Sequence, residues 1–143
     1  MFQYYKMKVL VTGSSNGIGL QIAKELSNLK YELVLHYNST VDNLKKNFGS
    51  SHDNIHYIQA DLSNDNGADF LYDETLKKIG MPDAIINNAG IAESSPIEKD
   101  INLWVKEFDK TINVNLKSPA IICKQFISYK RTQKIDKTLR IVN

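Results

Sequence analysis

The stretch that decides the fold is "VTGSSNGIG", Val11 to Gly19. It follows the β-branched run "KVLVT" (8–12) and opens an apolar-periodic segment, so it reads as the turn from a strand into a helix. In that setting glycines cradle a pyrophosphate, because backbone N–H groups and the positive end of the helix dipole face the anion. Gly13 suits the tight turn, Gly17 lets backbone approach the phosphates, and Gly19 lets the helix pack closely on the strand. Ser15, Asn16 and Ile18 lie between them and belong to the same candidate loop. The spacing Gly-x3-Gly-x-Gly is neither GxGxxG nor a Walker loop, which needs Lys followed by Ser or Thr. Taken alone, three glycines after a strand also fit a purely structural turn.

Outward from this loop, strands and helices alternate. "GIGLQIAKELSNL" (17–29) sets Ile18, Ile22, Leu26 and Leu29 at helical spacing, and "ELVLHY" (32–37) is the next strand. Ser39 followed by Asp42 resembles a capping box opening a short helix through Phe48. "NIHYIQA" (54–60) is a third strand, a helix lies within 64–80, and "AIIN" (84–87) is a fourth strand. The segment from Leu103 to Lys130 reads as one long helix, with Ile112, Leu116, Ala120, Cys123 and Ile127 as its apolar face. "RIVN" (140–143) begins a fifth strand. The alternation predicts an α/β protein of three layers, a doubly wound parallel sheet of about five strands in the order 3-2-1-4-5. Residues 1–7 read as an N-terminal extension and 8–143 as one domain.

The composition narrows the function. The 143 residues are 42% hydrophobic and 24% charged with a formal charge of +2. Without a basic stripe or a strong field, no nucleic-acid or membrane partner is expected. No apolar run approaches a membrane span, "MFQYYKMK" lacks the apolar region of a signal peptide, and the single cysteine, Cys123, reads as a small core residue in a reducing compartment. A cytoplasmic location is expected.

"TGSSNGIG" (12–19) together with "NNAG" (87–90) at the end of the fourth strand resembles the short-chain dehydrogenase/reductase family, over about Lys8 to the last residue. The resemblance implies a Rossmann fold binding NAD or NADP, hydride transfer between that cofactor and a small-molecule carbonyl or alcohol, and a parent protein that is a homo-oligomer. Many members of similar appearance are 3-oxoacyl-carrier-protein reductases, although this half of the fold does not define a substrate. Asp61 and Leu62 match the positions that meet the adenine, with capping of the following helix as the alternative for Asp61. Asn88, Ala89 and Gly90 match positions whose backbone touches the nicotinamide ribose, while Asn87 is expected to tie neighbouring strands and Trp104 to serve packing.

Cofactor choice hangs on the residues after the second strand. An acid there would bond the ribose 2′-hydroxyl and repel a 2′-phosphate. Here His36, Tyr37, Asn38, Ser39 and Thr40 precede the first acid, Asp42, and Asn38, Ser39 and Thr40 offer neutral donors. A clamping Arg is missing, and position 16 is Asn where a basic residue often sits in NADP-preferring relatives. NADP is the preferred cofactor on balance, NAD the alternative; no metal is expected.

The family's catalytic set is an Asn, a Ser and a Tyr-x3-Lys pair. Asn115 in "NVNL" matches the first, and Pro119, lacking an N–H, would leave free the Asn115 carbonyl, which the resemblance implies holds a water, with a simple helix kink as the alternative reading of Pro119. The Tyr and Lys must share a helix face, because a tyrosine with a pKa near 10 needs a neighbouring cation to work at neutral pH. The one Tyr-x3-Lys string, Tyr4 to Lys8, runs into the first strand and precedes the glycine loop, so it is read as a decoy; Tyr129 is followed at the fourth position by Gln133. On this reading the chain is the amino-terminal, cofactor-binding half of such an enzyme, truncated at the start of its fifth strand and expected to associate or aggregate. The alternatives are a non-catalytic dinucleotide-binding module and an inactive fragment.

Overall fold

Both faces of the central strands are apolar, and in the computed structural model, which describes residues 5–50, 53–94 and 96–143, both are buried. The strands are β1 (Lys8–Val11), β2 (Glu32–Tyr37), β3 (Ile55–Gln59), β4 (Ala84–Ile86) and β5 (Arg140–Val142). They form one parallel sheet in the order β3-β2-β1-β4-β5, with Val9 opposite both Leu33 and Ala84, and Ile86 opposite Val142. Alternation along the strands divides the core. Leu10, Val34, Ile58 and Ile85 point to one side, where α3 (Gly67–Ile79) and α5 (Ser118–Thr132) supply Leu71, Tyr72, Ile122 and Phe126. Val9, Val11, Leu33 and Leu35 point to the other, against Leu20 and Ala23 of α1 (Gly17–Asn28) and Leu44 of α2 (Asp42–Phe48). This is the Rossmann-type α/β fold expected from the alternation.

Three local expectations are corrected. In α1 the buried side chains are Leu20 and Ala23, whereas Ile18 is 75% exposed and Leu29 is also exposed, because the helix is seated by its glycine-bearing first turn. Ser39 does not cap α2. Thr40 does the work instead, its hydroxyl accepting from the Asp42 N–H at 3.2 Å and donating to the Asp42 carboxylate at 2.7 Å. The long helix is not continuous: α4 (Ile101–Ile112) passes into a π-helical turn, Asn113–Lys117, before α5. There the buried stripe is Val114, Ser118, Ile122 and Phe126, not the face through Ile112, Leu116 and Ile127, all of which are exposed. Ser118 disguises the true stripe. Its hydroxyl donates to the Leu62 carbonyl at 2.8 Å, so it is satisfied at the bottom of the core.

The starts of β1, β4 and β5 are stapled at Asp83. Its carboxylate accepts the Lys8 N–H at 2.8 Å, the Lys137 ammonium at 2.7 Å and the Tyr5 hydroxyl. Burial pushes this carboxyl up, but the hydrogen bonds from Lys137, Tyr5 and Lys8 outweigh it and hold it below its ordinary value; Tyr5, chiefly through its bond to Asp83, is pushed up to about 12. Of residues 1–7, the first four, Tyr4 of the decoy string among them, lie outside the described residues, while Met7 packs on the α1 side of the core and accepts from the Glu32 N–H at 2.9 Å. Among the described residues no helix is long and apolar enough to cross a membrane.

Candidate functional site

The chain runs outward from β1 through β2 to β3 and then returns to β4 on the other side of β1. The loops leaving the carboxyl ends of β1 and β4 therefore part to opposite faces, and a crevice opens between them. Thr12, only 2% exposed, laces the two loops together: its hydroxyl oxygen accepts the N–H of Asn88 at 3.0 Å and of Ala89 at 2.9 Å. The Asn88 amide answers by donating to the carbonyls of Thr12 at 3.0 Å and Gly13 at 2.9 Å.

The glycines do three separable jobs. Gly13 has φ +63°, and a Cβ there would stand 2.7 Å from Cα of Ala89. At Gly19 a Cβ would stand 2.3 Å from both the Asn88 amide nitrogen and the Gly13 carbonyl oxygen, so helix, loop and "NNAG" segment meet without side chains between them. At Gly17, φ is +54° and a Cβ would meet nothing within 4 Å; it would project into open space. Behind this space α1 starts bare. Asn16 at its N-cap makes no bond to the first-turn N–H groups, and no acidic side chain sits in that turn. The Asn16 side-chain oxygen is held by the Asn43 amide at 2.9 Å, which also donates to the Ser15 carbonyl at 2.7 Å. Uncapped N–H groups at a helix start form an anion site.

The resulting cleft, about 430 Å³, brings together Gly13, Ser15, Asn16, Gly17, Ile18, Asn38, Asp61, Leu62, Asn88, Ala89 and Gly90. Gly19, Tyr37 and Ser39 do not line it: Gly19 is closed over by Asn88 and the Gly13 carbonyl, and Tyr37 packs on the α1 side of the core. Asp61 does not cap α3, which begins six residues later. It organises its own turn, accepting from the Ser63 hydroxyl at 2.7 Å and N–H at 2.9 Å, and these bonds hold its carboxyl below its ordinary value. Asn38 and Asp61 also border a second depression, about 710 Å³, beside Asn66 and Phe70.

Asn115 stands in the π-helical turn and is spent on the loop after β4: its side chain accepts the Ile91 N–H at 2.9 Å and donates to the Ile91 carbonyl at 2.8 Å. Ile91 and Val114 line the cleft; Asn115 fixes their positions. Asn87 ties strands, as expected, its N–H reaching the Val142 carbonyl at 2.9 Å and its amide the Asn143 side chain at 2.8 Å. Trp104 stacks on Phe108 in α4, with ring centroids 5.3 Å apart.

Sequence reasoning passed over several residues of the site, Ser63, Ile91 and Val114 of the cleft lining among them. Thr12 stands inside the quoted motif and was legible there as a polar residue ending a buried strand. His36 and Asn43 carry no spacing signal. Lys110, whose ammonium pairs with Glu93 at 2.7 Å, reaches the cleft from a helix far along the chain.

Comparison with known proteins agrees with this geometry. The family model described as short chain dehydrogenase matches residues 7–141. Glucose 1-dehydrogenase 2 of Bacillus subtilis (strain 168) is 31% identical over 112 residues, 72% of this chain and 42% of that protein. A 3-oxoacyl-acyl-carrier-protein reductase of Buchnera aphidicola subsp. Baizongia pistaciae is 30% identical over 128 residues, 85% of this chain and 49% of that protein. The solved structure of 4-hydroxyisoleucine dehydrogenase complexed with NADH superposes with a TM-score of 0.81 at 25% identity, over 96% of this chain and 54% of the other. The chain spans about half the length of these proteins. With the family model matched over nearly the whole chain, whose glycine loop and "NNAG" segment meet at one crevice, the chain belongs to the short-chain dehydrogenase/reductase family of oxidoreductases.

Proposed function

We propose that this chain binds a nicotinamide dinucleotide and that the whole protein uses it to transfer hydride to or from a small carbonyl or alcohol. The observation that carries this is the bare start of α1 behind Gly17, where uncapped N–H groups and open space suit a pyrophosphate. The remaining assignments follow from position. Gly13, Ser15, Asn16, Gly17 and Ile18 would hold the phosphates, Asp61 and Leu62 would meet the adenine, and Asn88, Ala89 and Gly90 would meet the nicotinamide ribose. Gly19 acts by letting these segments close, and of the three residues from the end of β2 onward assigned to the 2′-substituent, Tyr37, Asn38 and Ser39, it is Asn38 that reaches the cleft.

NADP is favoured over NAD because the chain places no acid between the end of β2 and Asp42, and Asn38 of that segment lines the cleft. Asn115 serves the proton path through its main-chain carbonyl, which Pro119 cannot engage. The substrate class is that of the family, with a 3-oxoacyl thioester as one candidate. We place the protein in the cytoplasm, in keeping with its lone free cysteine, and we read the parent as a homo-oligomer. In support of the latter, α4 has no buried residue and exposes Leu103, Val105 and Phe108.

The test is titration of the purified protein with NADPH and NADH, followed by nicotinamide fluorescence and melting temperature. Saturable binding, tighter for NADPH, is expected. Gly17→Val should weaken it about tenfold or more, since a side chain in left-handed backbone costs about 1–2 kcal/mol before it meets the ligand. A folded sample that binds neither nucleotide refutes the reading.

A further inference from the structure

His36 is the next-to-last residue of β2 and is buried, and its ring spans two segments that flank the cleft. Nδ1 lies 3.0 Å from the Gly13 nitrogen, whose N–H donates to it, and Nε2 lies 3.0 Å from the Ala60 carbonyl, which only accepts. One protonation state satisfies both partners, the neutral imidazole with its proton on Nε2. The backbone of the same residue is engaged too: the His36 carbonyl accepts from the Ser14 N–H and the Ser14 hydroxyl, each at 2.9 Å. Glycine loop, β2 and the end of β3 are thus clasped by one residue.

We infer that His36 is a positioning residue for the dinucleotide site, its neutral ring aiming the Gly13 backbone, and that proton uptake by the ring unseats the loop and weakens the cofactor. A proton on Nδ1 would set two N–H donors against each other across 3.0 Å. The loop cannot yield toward Ala89, because even a Cβ on Gly13 would stand 2.7 Å from that backbone, so it must swing away from β2. The charged group that bears on the ring is Asp61, at the turn after β3, which itself feels Lys110 of α4. Burial pushes the imidazole below its ordinary value of 6.5, and the Ala60 bond and the Asp61 charge oppose this without reversing it. The neutral ring's contribution is therefore full above that value and is lost as pH falls. Cofactor phosphates would act in the opposite sense, favouring a charged ring, so the sign of the pH dependence discriminates.

This inference rests on the cleft being a dinucleotide site, and the test separates the two. In the ligand-free protein, ring nitrogen NMR should report the Nε2–H tautomer titrating below 6.5, with the Gly13 amide resonance moving at the same midpoint. NADPH affinity should fall by about tenfold per pH unit below that midpoint. In His36→Asn, whose carbonyl accepts from Gly13 but cannot titrate, the imidazole step should be missing, leaving only the shallower change from the NADPH 2′-phosphate, which protonates at about pH 6. His36→Phe should weaken binding at every pH. An Nδ1–H tautomer, a Gly13 amide indifferent to the titration, or parallel profiles for wild type and His36→Asn overturns the inference. Failure of NADPH to bind while ring and amide behave as described overturns the cofactor reading and leaves the clasp established.

Discussion

Replacing Thr12 by Val removes a hydroxyl while keeping its shape. Val fills the same volume and suits a strand at least as well, so packing and propensity do not oppose the change. What it removes is the acceptor for two main-chain donors, the N–H groups of Asn88 and Ala89 at 3.0 and 2.9 Å. A buried donor left without a partner costs about 1–3 kcal/mol, so the pair sums to about 2–4 kcal/mol once water at the cleft edge relieves part of the loss. Thr12→Ser keeps the oxygen and loses one methyl, about 1 kcal/mol. Denaturant unfolding with unchanged m-values should rank wild type above Ser and Ser above Val. The "NNAG" segment hangs on the same oxygen, so NADPH affinity should drop strongly in Val and little in Ser. A Val variant within about 0.5 kcal/mol of wild type, the range of an inert surface change, would refute the reasoning.

Other expectations follow from the same geometry. Asp83→Ala strips the staple at the base of the sheet and should cost about 3 kcal/mol, read by thermal or chemical melting, because it leaves Lys137 and the Lys8 N–H without their partner. Asp83→Asn should return the Tyr5 phenol from about 12 toward 10, read by tyrosinate absorbance. The Asp83 carboxyl is depressed in the fold, so its stabilisation holds above the ordinary value of 3.8 and is lost as pH falls through the lower folded value; that step should vanish from the acid limb of Asp83→Asn. Gly19→Ala would force a methyl against the Gly13 carbonyl, costing about 1–3 kcal/mol and most of the NADPH binding. Asn115→Ala, which frees both polar groups of Ile91, should raise amide exchange in residues 90–92 before it moves the global melting point.

The strands were legible because parallel strands buried on both faces appear as near-continuous apolar runs; "ELVLHY" needed no adjustment at either end. Helix faces were harder. Two interleaved stripes share the segment after Ile112, and the richer one in Ile and Leu is the solvent-facing one, because Ser118 makes the buried stripe look polar. Ile18 scored as core by spacing yet borders the cleft, where α1 has no neighbour to bury it. Of the site, the glycines and "NNAG" announced themselves because their jobs exclude side chains. Thr12 and His36 did not, since a hydroxyl or an imidazole at a strand end acquires its meaning only from a backbone group brought there by a distant strand.

That distance sets the order in which the protein can become competent. The contacts that bind β1 and its loop to the β4 side, Lys8 with Asp83 and Gly13 with Asn88, join residues 75 apart, whereas the His36 clasp on Gly13 and Ser14 comes from a nearer segment. During synthesis at about 5–20 residues per second, β1 waits several seconds for the strand that completes its cradle. Pairing of β1 with β2 can precede this, being local, whereas β1 with β4 must meet the loop-closure cost first. The pocket therefore matures late, after most of its own residues have left the ribosome. A nucleotide that binds only the finished pocket acts as a quality mark: it adds nothing to the early half-sheet and draws the population forward once β4 has docked.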